Sequence, residues 1–197
     1  MIAIVDYGVG NTESIRRALE VLGLRAVLTG DAATVRSARA VILPGVGAFD
    51  SAMATLERTG LAGTVRDALG LGRVVLGICL GMQVLFSSSE EGTRRGLGLL
   101  PGRVVRLPGG QRIPHLGWNL VCWDPPISPP SHFYFAHSYY AVAHPGHVLA
   151  RTSYGTGFPA VVNAGCLWGV QFHPEKSGPT GLALLGDILE GRLAACC

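Results

Sequence analysis

The sequence predicts an α/β fold with a central, mostly parallel sheet, helices on both faces, and antiparallel strands added late in the chain. Three observations carry this expectation. Short, wholly apolar runs alternate with amphipathic stretches through the first half. Of the 197 residues, 48% are hydrophobic and only 15% charged, which suits a large buried core and argues against general disorder. Beyond about Leu97 the runs become short, closely spaced and β-rich, as added antiparallel pairing requires.

The elements follow in order. Residues 2–5 form a buried strand, and a Gly-rich turn leads to a helix over 12–22 that Gly23 stops. Residues 25–29 and 40–43 read as strands, 49–58 and 61–69 as helices, and 73–78 as another strand. Later strands fall at 103–107, 119–123, 133–140, 147–152, 160–163 and 166–172. Gly178 and Pro179 open a final helix to about Leu189, with Leu182, Leu185 and Leu189 on one side. The Pro-rich 124–131 stretch reads as a loop, so the chain is expected to be one domain over 1–197.

Composition also excludes function classes. The net charge of +3 is mild, and only Arg94, Arg95, Arg103, Arg106 and Arg112 gather, which is no dense stripe for nucleic acid. The longest nearly apolar stretch, 74–86, contains Gln83 and is too short to span a bilayer, so no membrane role is expected. The start of the chain, from Met1 to Asp6, lacks the basic opening of a signal peptide. Cysteines at 79, 122, 166, 196 and 197 show neither zinc spacing nor a secreted disulfide framework. A reducing, cytoplasmic setting with no metal and no cofactor is expected.

The chemistry lies in two motifs. Gly77-Ile78-Cys79-Leu80-Gly81 stands directly behind the apolar run 73–76, the arrangement of a nucleophile elbow with Cys in place of Ser. A sharp strand-to-helix turn there would project the Cys79 thiol above the sheet and aim the Leu80 N–H at the same space. Gly77 and Gly81 are needed because flanking Cβ atoms would collide. His173-Pro174-Glu175 supplies the rest. Two apart in an extended segment, His173 and Glu175 would share a face, with Pro174 holding His173 out of the helical region. Glu175 would orient the imidazole, whose other nitrogen takes the thiol proton. Next to them stands Lys176, the only lysine beside fifteen arginines.

Residues 6–11, 43–49, 77–86, 114–119, 134–140 and 169–177 together resemble the class I, triad-type glutamine amidotransferases. Within that family the likeness is to the glutaminase subunits of imidazole glycerol phosphate synthase, through Pro-Gly-Val-Gly (44–47), Pro-His-Leu-Gly-Trp-Asn (114–119) and His-Ser-Tyr-Tyr (137–140). Departures are small, with Leu116 where Met is commoner and Trp168 where Phe is usual. The resemblance implies a three-layer fold and hydrolysis of glutamine to glutamate and ammonia through a Cys79–His173–Glu175 triad and a glutamyl thioester. It implies an oxyanion hole from Leu80, Val46 and Gly47. Gln83, Glu91, Ser138 and Tyr139 would bind glutamine. It further implies a partner, the cyclase subunit, a (β/α)8 barrel that receives the ammonia, with Asn11, Trp118, Tyr134 and Lys176 at the interface. Gly45 and Gly47 would let the loop change peptide orientation, so that glutaminase activity depends on the partner.

Simpler readings stand beside these. Gln83 reads equally as a helix-surface amide, Glu90 and Glu91 as a solvated acidic turn, Trp118 as a core aromatic, and His115 and His137 as structural histidines. A glutaminase serving another synthase, such as pyridoxal phosphate synthase, shares the catalytic set, and so does a silent regulatory relative. Gly8-Val9-Gly10 begins a dinucleotide fingerprint but lacks its third glycine, since position 13 is Glu.

Overall fold

The computed structural model describes residues 1–8, 10–124 and 128–193. Its first half is β1 (Ile2–Val5), α1 (Thr12–Val21), β2 (Ala26–Thr29), α2 (Ala32–Ser37), β3 (Ala40–Leu43), α3 (Phe49–Arg58), α4 (Leu61–Gly70), β4 (Val74–Ile78) and α5 (Leu80–Gln83). The second half is β5 (Gly102–Arg106), β6 (His115–Trp123), β7 (Ser131–His137), β8 (Tyr139–Ala143), β9 (Val148–Ser153), β10 (Gly157–Ala164), β11 (Leu167–Val170) and α6 (Gly178–Leu189). Nine strands form one sheet in the order β2-β1-β3-β4-β11-β10-β9-β6-β7, and β5 pairs with β8 in a small second sheet. The strands from β2 to β11 in that order run parallel. The remaining pairs, β11 to β10 and onward to β7, are antiparallel.

Of the parallel strands, β1, β3, β4 and β11 are buried on both faces, whereas β2 at the sheet's edge is half-exposed. Ile2 and Ile4 of β1 enter one core with Ile15 and Leu19 of α1 and Leu185 and Ile188 of α6. Ala3 and Val5 enter the other core, with Phe49, Met53, Leu56, Leu61 and Val65 of α3 and α4. Strand alternation thus makes three layers out of continuous apolar runs.

The early elements fall within a residue or two of their expected limits, whereas β6 and β10 begin at His115 and Gly157, four and three residues before expected, and three further features differ. Residues 32–37 form the unexpected α2, opened by the Asp31 carboxylate, which accepts from Thr34 N at 2.8 Å. The expected strand over 133–140 is two strands, because the chain leaves β6 at Ser138 and joins β5. In α6 the buried face is Leu184, Leu185, Ile188 and Leu189, while Leu182 is only half-buried. Residues 125–127 of the Pro-rich stretch, Val9 of the Gly8–Gly10 turn, Cys196 and Cys197 lie outside the described residues.

Register places the motifs together. Leu43 pairs with Gly77 and Ile78 with Val170, so the segments after β3, β4 and β11 leave the sheet at the same carboxyl edge. That edge is where open α/β sheets present their sites.

Candidate active site

Cys79 takes φ 55° and ψ −110°, and is the only non-glycine at positive φ among the described residues. Such a conformation costs about 1–3 kcal/mol and persists only where neighbours enforce it. The neighbours are backbone. A Cβ on Gly77 would run into the Gly81 carbonyl, one on Gly81 into the Leu43 carbonyl, and one on Gly45 into the Gly81 nitrogen and Leu80. Three glycines therefore let β4, α5 and the loop after β3 nest together. Leu80 opens α5, so its N–H belongs to the first turn, which lacks intrahelical acceptors.

Leu80, Val46, Gly47, Gln83, Glu91, Ser138 and Tyr139 all line one cavity with Cys79. Its volume of about 170 Å³ is well below that of sites for drug-sized ligands and matches a molecule of amino-acid size. Pro114, Ala136 and His137 complete the wall. The loop carrying Val46 and Gly47 is fixed at its base, where the buried Tyr7 hydroxyl donates to the Pro44 carbonyl. Burial, then the Cys79 charge, push the Tyr7 phenol above its ordinary pKa and keep it a donor.

His173 and Glu175 meet, but through a different backbone from the one expected. His173 is extended (φ −100°, ψ 96°), as Pro174 requires, whereas Pro174–Lys176 is a turn of 3-10 helix. The carboxylate comes back under the ring instead of lying beside it on a strand. Glu175 Oε1 lies 2.8 Å from His173 Nδ1, with both side chains buried. The second carboxylate oxygen, also buried, has no protein partner. The His173 backbone N–H donates to the Tyr134 carbonyl at 2.8 Å, tying the turn to β7. Burial opposes a charged ring. Hydrogen bonding and charge from Cys79 and Glu175 outweigh it, and the His173 pKa is pushed up to about 10. With Nδ1 committed to Glu175, Nε2 is the nitrogen available to the sulfur.

Gln83 is buried, not a helix-surface amide. Its Nε2 donates to the Tyr139 carbonyl at 2.8 Å and to Gln171 Oε1 at 3.2 Å. Both amide hydrogens are spent, which leaves Oε1 as the group a ligand can use. The two acidic neighbours separate. Glu91 lines the cavity and accepts from Phe49 N at 2.9 Å, whereas exposed Glu90 holds Arg106 N at 2.9 Å. Asp50 anchors this loop by accepting from the N–H groups of Thr93 and Arg94, which hold its pKa below the usual carboxylate range.

Sequence reasoning missed Gln171. Its side chain is fully buried, and its Nε2 donates to Cys79 Sγ at 3.8 Å while Oε1 accepts from Gln83. A thiolate at that position gains a donor. On its other side Sγ lies 3.8 Å from the Ala136 carbonyl, which only a protonated sulfur can use. The signal available was a single amide at the end of the apolar run 167–172.

Of the expected interface residues, three form one surface cluster. Trp118 pairs with Tyr134 across β6 and β7, their rings 6.2 Å apart, and Lys176 Nζ sits 5.9 Å from the Tyr134 ring centre. Trp118 is 56% exposed and so is no core aromatic; Leu116 and Leu120 on the same side of β6 are exposed as well. Asn11 serves α1 as its cap, accepting from Ser14 N at 3.3 Å, and α1 packs against the 174–176 turn. His115 and His137 are buried and paired with each other. Among the described residues no group of three His, Cys, Asp or Glu side chains could hold a metal ion, and no helix is long and apolar enough to cross a membrane.

Relatives agree with this construction. The profile of the glutamine amidotransferase class-I family matches residues 3–190. The imidazole glycerol phosphate synthase subunit HisH of Geobacillus kaustophilus is 50% identical over 96% of each chain. HisH of Moorella thermoacetica is 48% identical over 96% of this chain and 94% of its own, and that of Methanothermobacter thermautotrophicus 46% over 96% and 98%. A crystal structure of a glutamine amidotransferase superposes with TM-score 0.79 at 22% identity, covering 97% of this chain and all of that one. PurLQS from Thermotoga maritima does so with TM-score 0.74 at 21% identity over 98% of each. Those two show the fold; the profile and the far closer sequences show the family. The chain is a member of the class I glutamine amidotransferases.

Proposed function

We propose that this chain is the glutaminase subunit of an imidazole glycerol phosphate synthase, acting in the cytoplasm as one domain beside a (β/α)8 cyclase barrel in histidine biosynthesis. The observation that supports it most is near-full-length identity of 46–50% to HisH subunits in a chain whose Cys79 lines an amino-acid-sized cavity and whose His173 and Glu175 are paired in its interior.

In this reading glutamine lies with its side-chain amide against Cys79 and its α-amino and carboxylate ends between Gln83, Glu91 and the 138–139 backbone. The sulfur attacks the amide carbon. Negative charge develops on the amide oxygen, where the Leu80 N–H and a second N–H from the 46–47 loop stabilise it. His173, whose pKa is raised to about 10 by hydrogen bonding and charge from Cys79 and Glu175, gives its proton to the amide nitrogen as the C–N bond breaks and ammonia leaves. Water then adds to the glutamyl thioester with the neutral ring as base, releasing glutamate and restoring the thiol–imidazole pair. Glu175 fixes the ring so that Nε2 always faces the sulfur.

Ammonia freed into water would be protonated, so it must pass directly to a second site. Trp118, Tyr134 and Lys176, with the exposed Leu116 and Leu120 beside them, offer the apolar face and lone cation on which the barrel would seat. The deciding experiment measures glutamine-dependent product formation by this chain plus the cyclase barrel. Wild type supports it and Cys79→Ala does not, and added ammonium salt restores the mutant complex. A Cys79→Ala complex that still used glutamine would overturn the mechanism. A wild-type complex active only with ammonium salt would overturn the function.

A further inference from the structure

We propose that His115 and His137 are positioning residues. Their rings carry a one-way chain of hydrogen bonds from half-buried Asn119, on the His115 face of β6, to the Tyr139 carbonyl, and so hold the 138–139 wall in its glutamine-binding form. The inference rests on the functional reading above for the identity of the substrate.

The direction of the chain follows from donor counting. His137 Nδ1 lies 2.8 Å from the Tyr139 carbonyl, which can only accept, so Nδ1 carries the hydrogen. A neutral imidazole has one N–H, so His137 Nε2 is an acceptor, and its neighbour at 3.3 Å, His115 Nδ1, must donate. His115 Nε2 is then an acceptor in turn, 3.3 Å from Asn119 Nδ2. The Asn119 amide cannot be reversed. Its Nδ2 also donates to the Ser153 carbonyl at 2.9 Å, and its Oδ1 accepts from Leu120 N at 2.8 Å. Every tautomer is therefore set from both ends.

Neutrality, which the counting requires, follows from the surroundings. Burial drives both rings toward the uncharged form; for His137, whose Tyr139 hydrogen bond opposes the shift, the nearby His115 and His173 add repulsion and the pKa falls to about 3. Packing locks the rings in plane. His115 is stacked between Tyr154, at 4.0 Å between ring centres, and Phe135, at 4.9 Å, and Phe158 meets His137 edge-on at 5.3 Å.

The end point gives the relay its purpose. The Tyr139 carbonyl receives two donors, His137 Nδ1 and Gln83 Nε2, so both of its lone pairs are occupied. The Ser138 carbonyl is tied to Leu107 N at 2.9 Å. The pocket wall is thus fixed at two successive carbonyls, one by the small sheet and one by the relay. Without His137 as donor, Gln83 would be the one remaining of these two donors on the Tyr139 carbonyl, and the amide that faces the cavity would lose its reference point.

Two substitutions at His115 separate relay from packing. His115→Phe keeps a ring between Tyr154 and Phe135 but deletes the donor; His115→Asn discards the ring but keeps an N–H near the Nδ1 position. In the complex with the cyclase barrel, the relay predicts that His115→Phe raises KM for glutamine about tenfold, with a smaller change in kcat, the effect of one buried hydrogen bond. His115→Asn should keep a KM nearer wild type even if its melting temperature is lower. The reverse order, with Phe harmless and Asn raising KM, would overturn the relay. Nitrogen NMR of the imidazole rings needs no substrate: both His115 and His137 should be neutral and protonated at Nδ1 at pH 7. Either ring found charged or protonated at Nε2 refutes the assignment, whereas correct tautomers in a complex that hydrolyses no glutamine would refute the substrate reading alone.

Discussion

The two turns that face each other across the Cys79 sulfur are built in opposite ways. The elbow is enclosed on every side by backbone, and Gly77 and Gly81 have no room for a Cβ. Among the described residues, the contacts that enclose the loop after β3 lie at its base, where Gly45 meets Gly81, Gly10 meets Pro44, and Tyr7 holds the Pro44 carbonyl. At its tip Val46 is 43% exposed and Gly47 adopts φ 113°, a region open mainly to glycine. The place of Cys79, the proposed nucleophile, is thus set by sterics within the chain, while the proposed second oxyanion donor stands on a solvent-facing tip. Dependence of activity on a partner would act at the tip and not at the elbow.

The sharpest break of this contrast is a methyl group on each side. Gly81→Ala drives a Cβ into the Leu43 carbonyl, where neither backbone can yield, and should cost at least about 4 kcal/mol or leave no folded protein. Gly47→Ala adds conformational strain of about 1–3 kcal/mol at φ 113°. Its turnover of glutamine in the complex should nonetheless fall about 100-fold, as loss of an oxyanion donor does. Thermal melts and glutaminase assays on the pair test this. Equal destabilisation by the two substitutions would remove the distinction.

Gln171 sharpens the same comparison from beneath the sulfur. Replacing it with Met keeps the volume and deletes the N–H that reaches Sγ. The rate of Cys79 alkylation by iodoacetamide at pH 7 should fall about tenfold, since a hydrogen bond to a charged group is worth about 1.5–3 kcal/mol. An unchanged rate in a folded variant would reduce Gln171 to a packing residue.

What could be read in advance follows from where the chemistry is local. Neither motif was decisive alone, since the thiol between two glycines reads equally as a core cysteine and His173-Pro174-Glu175 as a strand end; together they made Cys79, His173 and Glu175 legible. The 3-10 turn that joins the last two was not legible, since a residue spacing of two serves a strand or a turn equally. Gln171 carries no pattern of its own; its meaning lies in contacts with Cys79 and Gln83, which are 92 and 88 positions away. The break at Ser138 was hidden because residues 133–143 contain no Gly or Pro to mark it, and the change of partner from β6 to β5 is what divides them. In α2 a single buried residue, Val35, left the Asp31 cap as the only sign of a helix.

The raised His173 pKa gives the contrast a pH signature. The folded state binds this proton more tightly than the unfolded chain, whose ordinary value is 6.5, and releases it only at about 10. Its contribution to stability is therefore fully present below about pH 6.5 and is lost as pH rises toward about 10. Removing one of the two side chains that raise the His173 pKa should flatten that loss. In Cys79→Ala the melting temperature should decline less between pH 7 and 10 than in wild type. Parallel curves would mean that the sulfur does not hold the proton on the ring.

The smallest expected effect lies farthest from the sulfur. Lys176 is joined through two residues to the ring of His173, yet its own ammonium is exposed and rests over Tyr134. An exposed cation over an aromatic face contributes about 0.5–1 kcal/mol, too little to explain why the chain's single lysine stands there. A partner's acid meeting that ammonium would add to it, and the adjoining Trp118 and Tyr134 faces would shield the pair from solvent. Lys176→Ala should then weaken association with the barrel about three- to tenfold while the isolated chain melts within a degree or two of wild type. Lys176→Arg keeps the charge but replaces a point cation with a planar fork, and should recover only part of the loss. Unchanged association in both variants would confine Lys176 to the surface it decorates, and would leave Trp118 and its exposed leucine neighbours as the whole of the proposed docking face.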